Sequence, residues 1–215
     1  MPTAVVGRKF ECVKGKNPDY WVHITAPGRG FEIVAEMPEE TTTAVGSEWE
    51  ARLPSSIGDL PAVGGFLAAG GKLIGTNAVL QGLTKQVWVN SSPVEIPISL
   101  QFDMYKDALE DVYRPMRSLE LLVMPNMGPG GLLYAPGPTG FASEFFGGSL
   151  ACNLTIGKLM TVPNVIAVNV SSTFSSRLDE RGYPISGRSD ITFRTDRTYT
   201  ADEWAQVTGI DLPPI

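Results

Sequence analysis

The chain has 215 residues, 43% of them apolar, which is enough for one large domain or two small ones and excludes general disorder. Charged residues are only 19% and the net charge is -6, so the balance disfavours a general nucleic-acid binder, which needs clustered Lys and Arg against phosphates. It does not exclude a conduit through which nucleic acid slides, and the 23 Gly and 17 Pro suit a β-rich protein with many turns.

Residues 1–60 read as N-terminal strands. Lys9 to Val13 alternates, Tyr20 to Ile24 is aromatic and β-branched, and Pro27-Gly28-Arg29-Gly30 is a turn. Phe31 to Met37 and Trp49 to Leu53 are two further strands, each ended by a proline. Residues 61–84 are a Gly/Ala-rich connector. Lys72, Asn77 and Gln81 interrupt it as a membrane span, and Gly71-Lys72 is followed by Leu73 instead of the Ser or Thr of a P-loop. A segment this apolar is expected to be covered, for example by a neighbouring subunit, and to order either alone or on assembly.

Residues 85–200 carry the clearest patterning. Gln86 to Val89 is a strand. Val94 to Phe102 is another, with Val94, Ile96, Ile98, Leu100 and Phe102 on one face. Pro97 removes a ladder donor, so that strand is expected either at a sheet edge or imperfectly paired at the proline. A helical segment over 104–124 follows, with Asp103 offering an N-cap oxygen. Its apolar stripe runs through Ala108, Leu109, Val112, Met116, Leu119, Leu122 and Val123. Pro115 predicts a kink or two short helices, the second with the proline in its first turn. Met127 to Gly140 is a Pro/Gly loop. Ser149 to Leu159, Val165 to Phe174 and Ser189 to Thr195 are extended, with a polar turn over Leu178 to Pro184. Residues 201–215, containing Trp204, form a short helix or an arm. The fold class is mainly β with one flanking helical segment (α+β), and the four stretches can also form one domain overall.

Candidate chemistry is sparse. His23 is the sole histidine and lies between Val22 and Ile24, so it reads as a packed residue and not a base. No G-x-S-x-G elbow is present, and one histidine cannot build a histidine-rich metal site. Cys12 and Cys152 are too few for a zinc site and read as buried free thiols. Asp103, Asp107, Glu110 and Asp111 are compatible with a glycosidase pair or a cation, but acids early in a helix already complement its dipole. Trp21, Trp49, Trp88 and Trp204 sit in apolar, strand-like or terminal surroundings, where core or interface anchoring outweighs a carbohydrate platform. The expectation is therefore no enzyme, no cofactor and no metal.

Three segments carry a resemblance: S-S-P-V-E-I-P-I-S-L-Q-F running into D-A-L-E-D-V-Y-R-P-M-R-S-L-E-L-L-V-M-P, then A-P-G-P, then I-G-K-L-M-T-V-P-N through R-G-Y-P-I-S-G-R-S-D-I-T-F. From Trp88 to Thr195 the chain resembles baseplate proteins of contractile-tailed bacteriophages, the group of tail-tube initiators and tube-to-hub adaptors. The resemblance implies a tail-tube-like β-sandwich or barrel with one flanking helix. It implies a virion structural protein, arranged in a ring of six around a channel that passes DNA without specific binding. The implied partners are other copies of the chain and baseplate, tail-tube and hub proteins, with no membrane. Assembly would take place in the bacterial host cytoplasm, and the finished protein would reside in the virion tail. The residues expected at interfaces are Trp88, Asp103, Leu109, Val112, Pro115, Leu119, Arg177, Arg181, Tyr183 and Trp204. The alternatives are a receptor- or carbohydrate-binding β-sandwich on the virion and a hydrolase working through Asp and Glu.

Overall fold

The computed structural model describes residues 7–13, 17–51, 86–127, 129–135 and 151–210. The expected connector over 61–84 lies outside the described residues, as do positions 211–215 of the expected arm. The chain divides into two compact units, residues 45–92 and the remainder.

The larger unit is built on a seven-stranded sheet. In chain order its strands are β1 (Arg8–Cys12), β2 (Trp21–Ala26), β3 (Phe31–Glu36), β6 (Glu95–Asp103), β9 (Cys152–Ile156), β10 (Met160–Phe174) and β11 (Ser186–Thr195). Their order across the sheet is β1-β3-β2-β9-β10-β11-β6. β1 pairs with β3 in parallel, and every other pair in this sheet is antiparallel. The N-terminal strands are therefore not a block apart from 85–200: β2 bonds to β9 with His23 opposite Thr155. In the smaller unit, β4 (Ser47–Ala51) and β5 (Gln86–Ser91) make a two-stranded antiparallel ribbon.

The alternation read in residues 94–102 is the alternation observed. Ile96, Leu100 and Phe102 are fully buried, while Pro97 and Gln101 face out. β6 is an edge strand with β11 as its ladder partner, and Pro97 stands opposite Thr192. On its other side a single bridge joins Glu95 to Ala44. A proline is tolerated there because the sheet asks for few donors on that side.

β10 is longer than the run expected from Val165, because Pro163 and Asn164 do not end it. They form a bulge: the register against β9 slips between Val162 and Val165, and Asn164 takes φ 54°. The buried positions consequently change parity, from Met160 and Val162 to Val165 and Ala167. A second slip against β11 falls between Ala167 and Asn169. Two bulges in one long strand bend it and increase its twist, which curls the sheet around one core. Gly157 fixes the turn before β10. It adopts φ +47°, and a Cβ there would lie 2.2 Å from the Asp19 carbonyl oxygen.

The expected helix is in two parts. A π-turn spans Leu109–Tyr113 and an α-helix, α1, spans Arg114–Glu120, with Pro115 in its first turn. Proline lacks the N–H that would continue the α-ladder, and Arg114 donates back to the Leu109 carbonyl across the wider turn. Ala108, Val112, Pro115, Met116, Leu119 and Leu122 are buried, and four of these join the sheet's apolar face in a single core cluster. Met116 lies directly over Gly187 of β11, where a Cβ would stand 2.4 Å from its sulfur. A second helix, α2 (Ala201–Thr208), opens with a capping box between Thr200 and Glu203. A short hairpin absent from the sequence reading, β7 (Asn126–Met127) with β8 (Leu133–Tyr134), occupies part of the expected loop. Residues 136–140 of that loop lie outside the described residues.

Candidate functional site

The residues expected at interfaces separate into three groups. The first lies inside the fold. Val112, Pro115 and Leu119 are buried in the larger unit, so their side chains hold the helix to its own sheet and offer no surface to another subunit. Leu109 is half-buried beside them. Trp204 packs partly against the same core, and its ring meets Tyr199 edge-on at 6.0 Å. On α2 the side chains of Trp204 and Val207 pack against the core cluster and Ala205 is buried, so the helix lies with its apolar side on the sheet.

The second group surrounds the start of the helix. Asp103 is not its cap, because its backbone is still in the ladder opposite Ser186. Asp107 takes the role, with its Oδ1 accepting from the Leu109 N–H at 2.9 Å. Asp111 Oδ2 accepts the N–H groups of Tyr105, Lys106 and Asp107 at 2.9, 2.7 and 3.0 Å, folding the preceding turn onto the helix. Of the four acids read from the sequence, Asp107 and Asp111 thus satisfy backbone donors, while Asp103 accepts from the Gln101 side chain and Glu110 pairs with Arg8 and Arg114.

The β10–β11 connection folds back onto this cap. Arg181 forms ion pairs with Asp107 and, at 3.4 Å, with Asp179. Asp179 Oδ1 in turn accepts the backbone N–H groups of Arg181 and Tyr183 at 2.9 and 2.8 Å. The bond to the Tyr183 amide is the main reason the Asp179 carboxyl sits below the usual carboxylate range. For Asp107 it is the hydrogen bond from Arg181. Tyr183 meets Tyr113 at 5.5 Å, and Arg117 lies over both Tyr113 and Phe174, at 5.3 and 4.8 Å. Arg177 is exposed and forms no ion pair among the described residues.

The third group is the ribbon of the smaller unit. Trp88 is directly opposite Trp49 across β4 and β5. Both indoles are more than half exposed (53% and 54%), and Val45, before β4, and Val87 and Val89, on either side of Trp88 in β5, are exposed as well. Their ring nitrogens donate locally, Trp49 to Ser47 Oγ at 2.9 Å and Trp88 to Ser91 Oγ at 3.1 Å. Sequence reasoning singled out Trp88 and passed over Trp49 as the other half of the same patch. The register of a ribbon closed by a long insertion cannot be counted from either end.

The remaining chemistry is modest. His23 faces Glu32, with Nδ1 3.4 Å from its carboxylate. Cys12 and Cys152 are free and buried, and desolvation pushes both thiols up to about 12. Among the described residues no group of three or more His, Cys, Asp or Glu is placed to hold a metal ion. No described helix is long and apolar enough to cross a membrane. No protein-family model matches the chain, and no curated protein matches it.

Proposed function

We propose that the chain is a non-enzymatic structural subunit of a contractile phage tail baseplate, forming a ring at or near the inner tube and linking tube to central hub. The observation that carries this reading is the β4–β5 ribbon. Two strands alone are marginal in water, and this pair presents Trp49, Trp88, Val87 and Val89 to solvent. Such a ribbon is stabilised when a neighbour covers it, as in an assembly of repeated subunits. The curled sheet with a helix packed on it agrees with the architecture that the resemblance implies. Electron microscopy of the purified full-length protein over a range of concentrations tests the reading. Closed annular particles with a central channel are expected, and single globular particles at every concentration would overturn it.

The paired, exposed indoles also favour one second reading, a virion module that stacks on sugar rings. Saturable glycan binding by the monomer, lost in Trp49→Ala, separates that reading from the first.

A further inference from the structure

The larger unit carries two surfaces of opposite charge at the two ends of β3. At the Phe31 end a groove lies between the starts of β1 and β3 and the outer side of α1. It is lined by Arg8, Arg29, Arg114 and Arg117, with Leu121 and Met124 exposed on its rim. These four guanidiniums have two carboxylates to pair with. Glu110 is shared by Arg8, which donates to both its oxygens at 2.7 Å, and by Arg114, while Glu120 pairs with Arg117 at 2.7 Å. Arg29 has no carboxylate among the described residues. It donates to the Asn126 side-chain oxygen and the Met124 carbonyl, both neutral, and partial burial lowers its pKa. A cationic groove with an apolar rim is thus set into a protein whose net charge is -6.

At the Glu36 end of β3 a cleft runs between the segment after β3 and the outer face of β6 and β11. Five carboxylates line it, from Glu36, Glu39, Glu40, Asp103 and Asp190, against the single guanidinium of Arg188. Arg188 is paired with Asp190 at 2.9 Å. Glu39 and Glu40 are exposed and form no ion pair among the described residues. The two surfaces are therefore about 17 Å apart along one strand, at about 3.3 Å per residue.

We propose that these surfaces meet between copies of the chain: the segment carrying Glu39 and Glu40 of one copy docks at the arginine groove of the next. This rests on the reading of the chain as a self-assembling subunit and specifies its contact. The pairing supplies carboxylates to Arg29 and Arg114, and covers Leu121 and Met124. Because the two patches differ and lie at opposite ends of the same strand, the contact is heterologous and repeats from copy to copy. Unlike charges brought together in this way set orientation and exclude wrong registers.

The test is a charge exchange on the full-length chain, read by sedimentation velocity and electron microscopy. Wild type should self-associate and weaken by about tenfold or more as NaCl rises from about 50 to about 500 mM. The Glu39→Lys/Glu40→Lys variant should be monomeric, as should Arg114→Glu/Arg117→Glu, while their equimolar mixture recovers pairwise association. Circular dichroism checks folding, and the exposed position of Glu39 and Glu40 keeps the first variant decisive if the second misfolds. Association of Glu39→Lys/Glu40→Lys equal to wild type would overturn the contact and leave the ring reading standing. Salt-sensitive open oligomers without annuli, abolished by the same variant, would uphold the contact and sink the ring. A wild type that stays monomeric throughout would sink both.

Discussion

Leu119 and Leu109 belong to one stripe in the sequence, yet they sit in different surroundings. Leu119 is fully buried among the sheet's apolar side chains, whereas Leu109 is half-buried at the π-turn. Truncating Leu119 to Ala should cost about 2–5 kcal/mol, a large share of a domain's usual 5–15. Leu119→Asp places a charge where nothing can pair with it and should prevent folding. Leu109→Asp, expected from the stripe alone to be as harmful, should cost about 1 kcal/mol. Urea denaturation of the three variants checks the ranking, and equal losses at both positions would contradict the burial difference. The stripe was legible because apolar residues three and four apart can only face one way on a helix. The difference within it was not, because it depends on the wider turn before Pro115, a local change of pitch with no periodicity of its own. Trp204 shows the same limit. Its type and neighbours fit an interface anchor, but together with Val207 it packs onto the chain's own core, a tertiary contact that leaves no local mark in the sequence.

The Asp107–Arg181–Asp179 lock joins two elements far apart in sequence, the helix start and the β10–β11 connection. Both carboxyls titrate below their ordinary range when folded. Their contribution to stability is then fully present above the unfolded carboxylate pKa of about 3.9, and is lost as pH falls through the lower folded values. Asp107→Asn should lower the melting temperature at pH 7 and shrink the drop between pH 7 and about pH 3, because the variant has one fewer proton to take up on acid unfolding. An unchanged pH dependence in thermal melts would show that the pair is too solvent-screened to matter. At this scale the sequence supplied the residues and misassigned the cap. Asp103 and Asp107 are chemically equal, and the choice between them is made by the ladder with β11, which keeps Asp103 extended. The single long β10 was likewise hidden, since Pro163-Asn164 is a break in most strands and a bulge in this one.

For the whole molecule, most strands of the seven-stranded sheet, the edge position of β6 as one of two alternatives and the helix packed on the sheet were legible from period-2 and helical patterning, while the β7–β8 hairpin was not. The parallel pairing of β1 with β3 and the pairing of β2 with β9 were not, because long-range partners leave no local mark. The same holds for the Trp49–Trp88 patch, whose strands are separated by residues 52–85. This patch allows a prediction that separates folding from assembly. Both indoles lie on a ribbon of their own unit and neither belongs to the main core cluster. Replacing both by Ser removes exposed apolar area, and the hydrogen bonds lost, to Ser47 and Ser91, are solvent-exposed. The seven-stranded sheet should therefore keep its melting temperature within a degree or two, since exposed substitutions usually change stability by less than about 0.5 kcal/mol. If a neighbour covers the ribbon, the same double variant loses two buried aromatic anchors, residues of the type that dominates binding energy at interfaces. Annular particles should then disappear at concentrations where wild type forms them, while the circular dichroism spectrum is unchanged. A double variant that assembles as well as wild type would mean that the ribbon's apolar face has no partner in the assembly, and the case for a ring subunit would lose the observation that carries it.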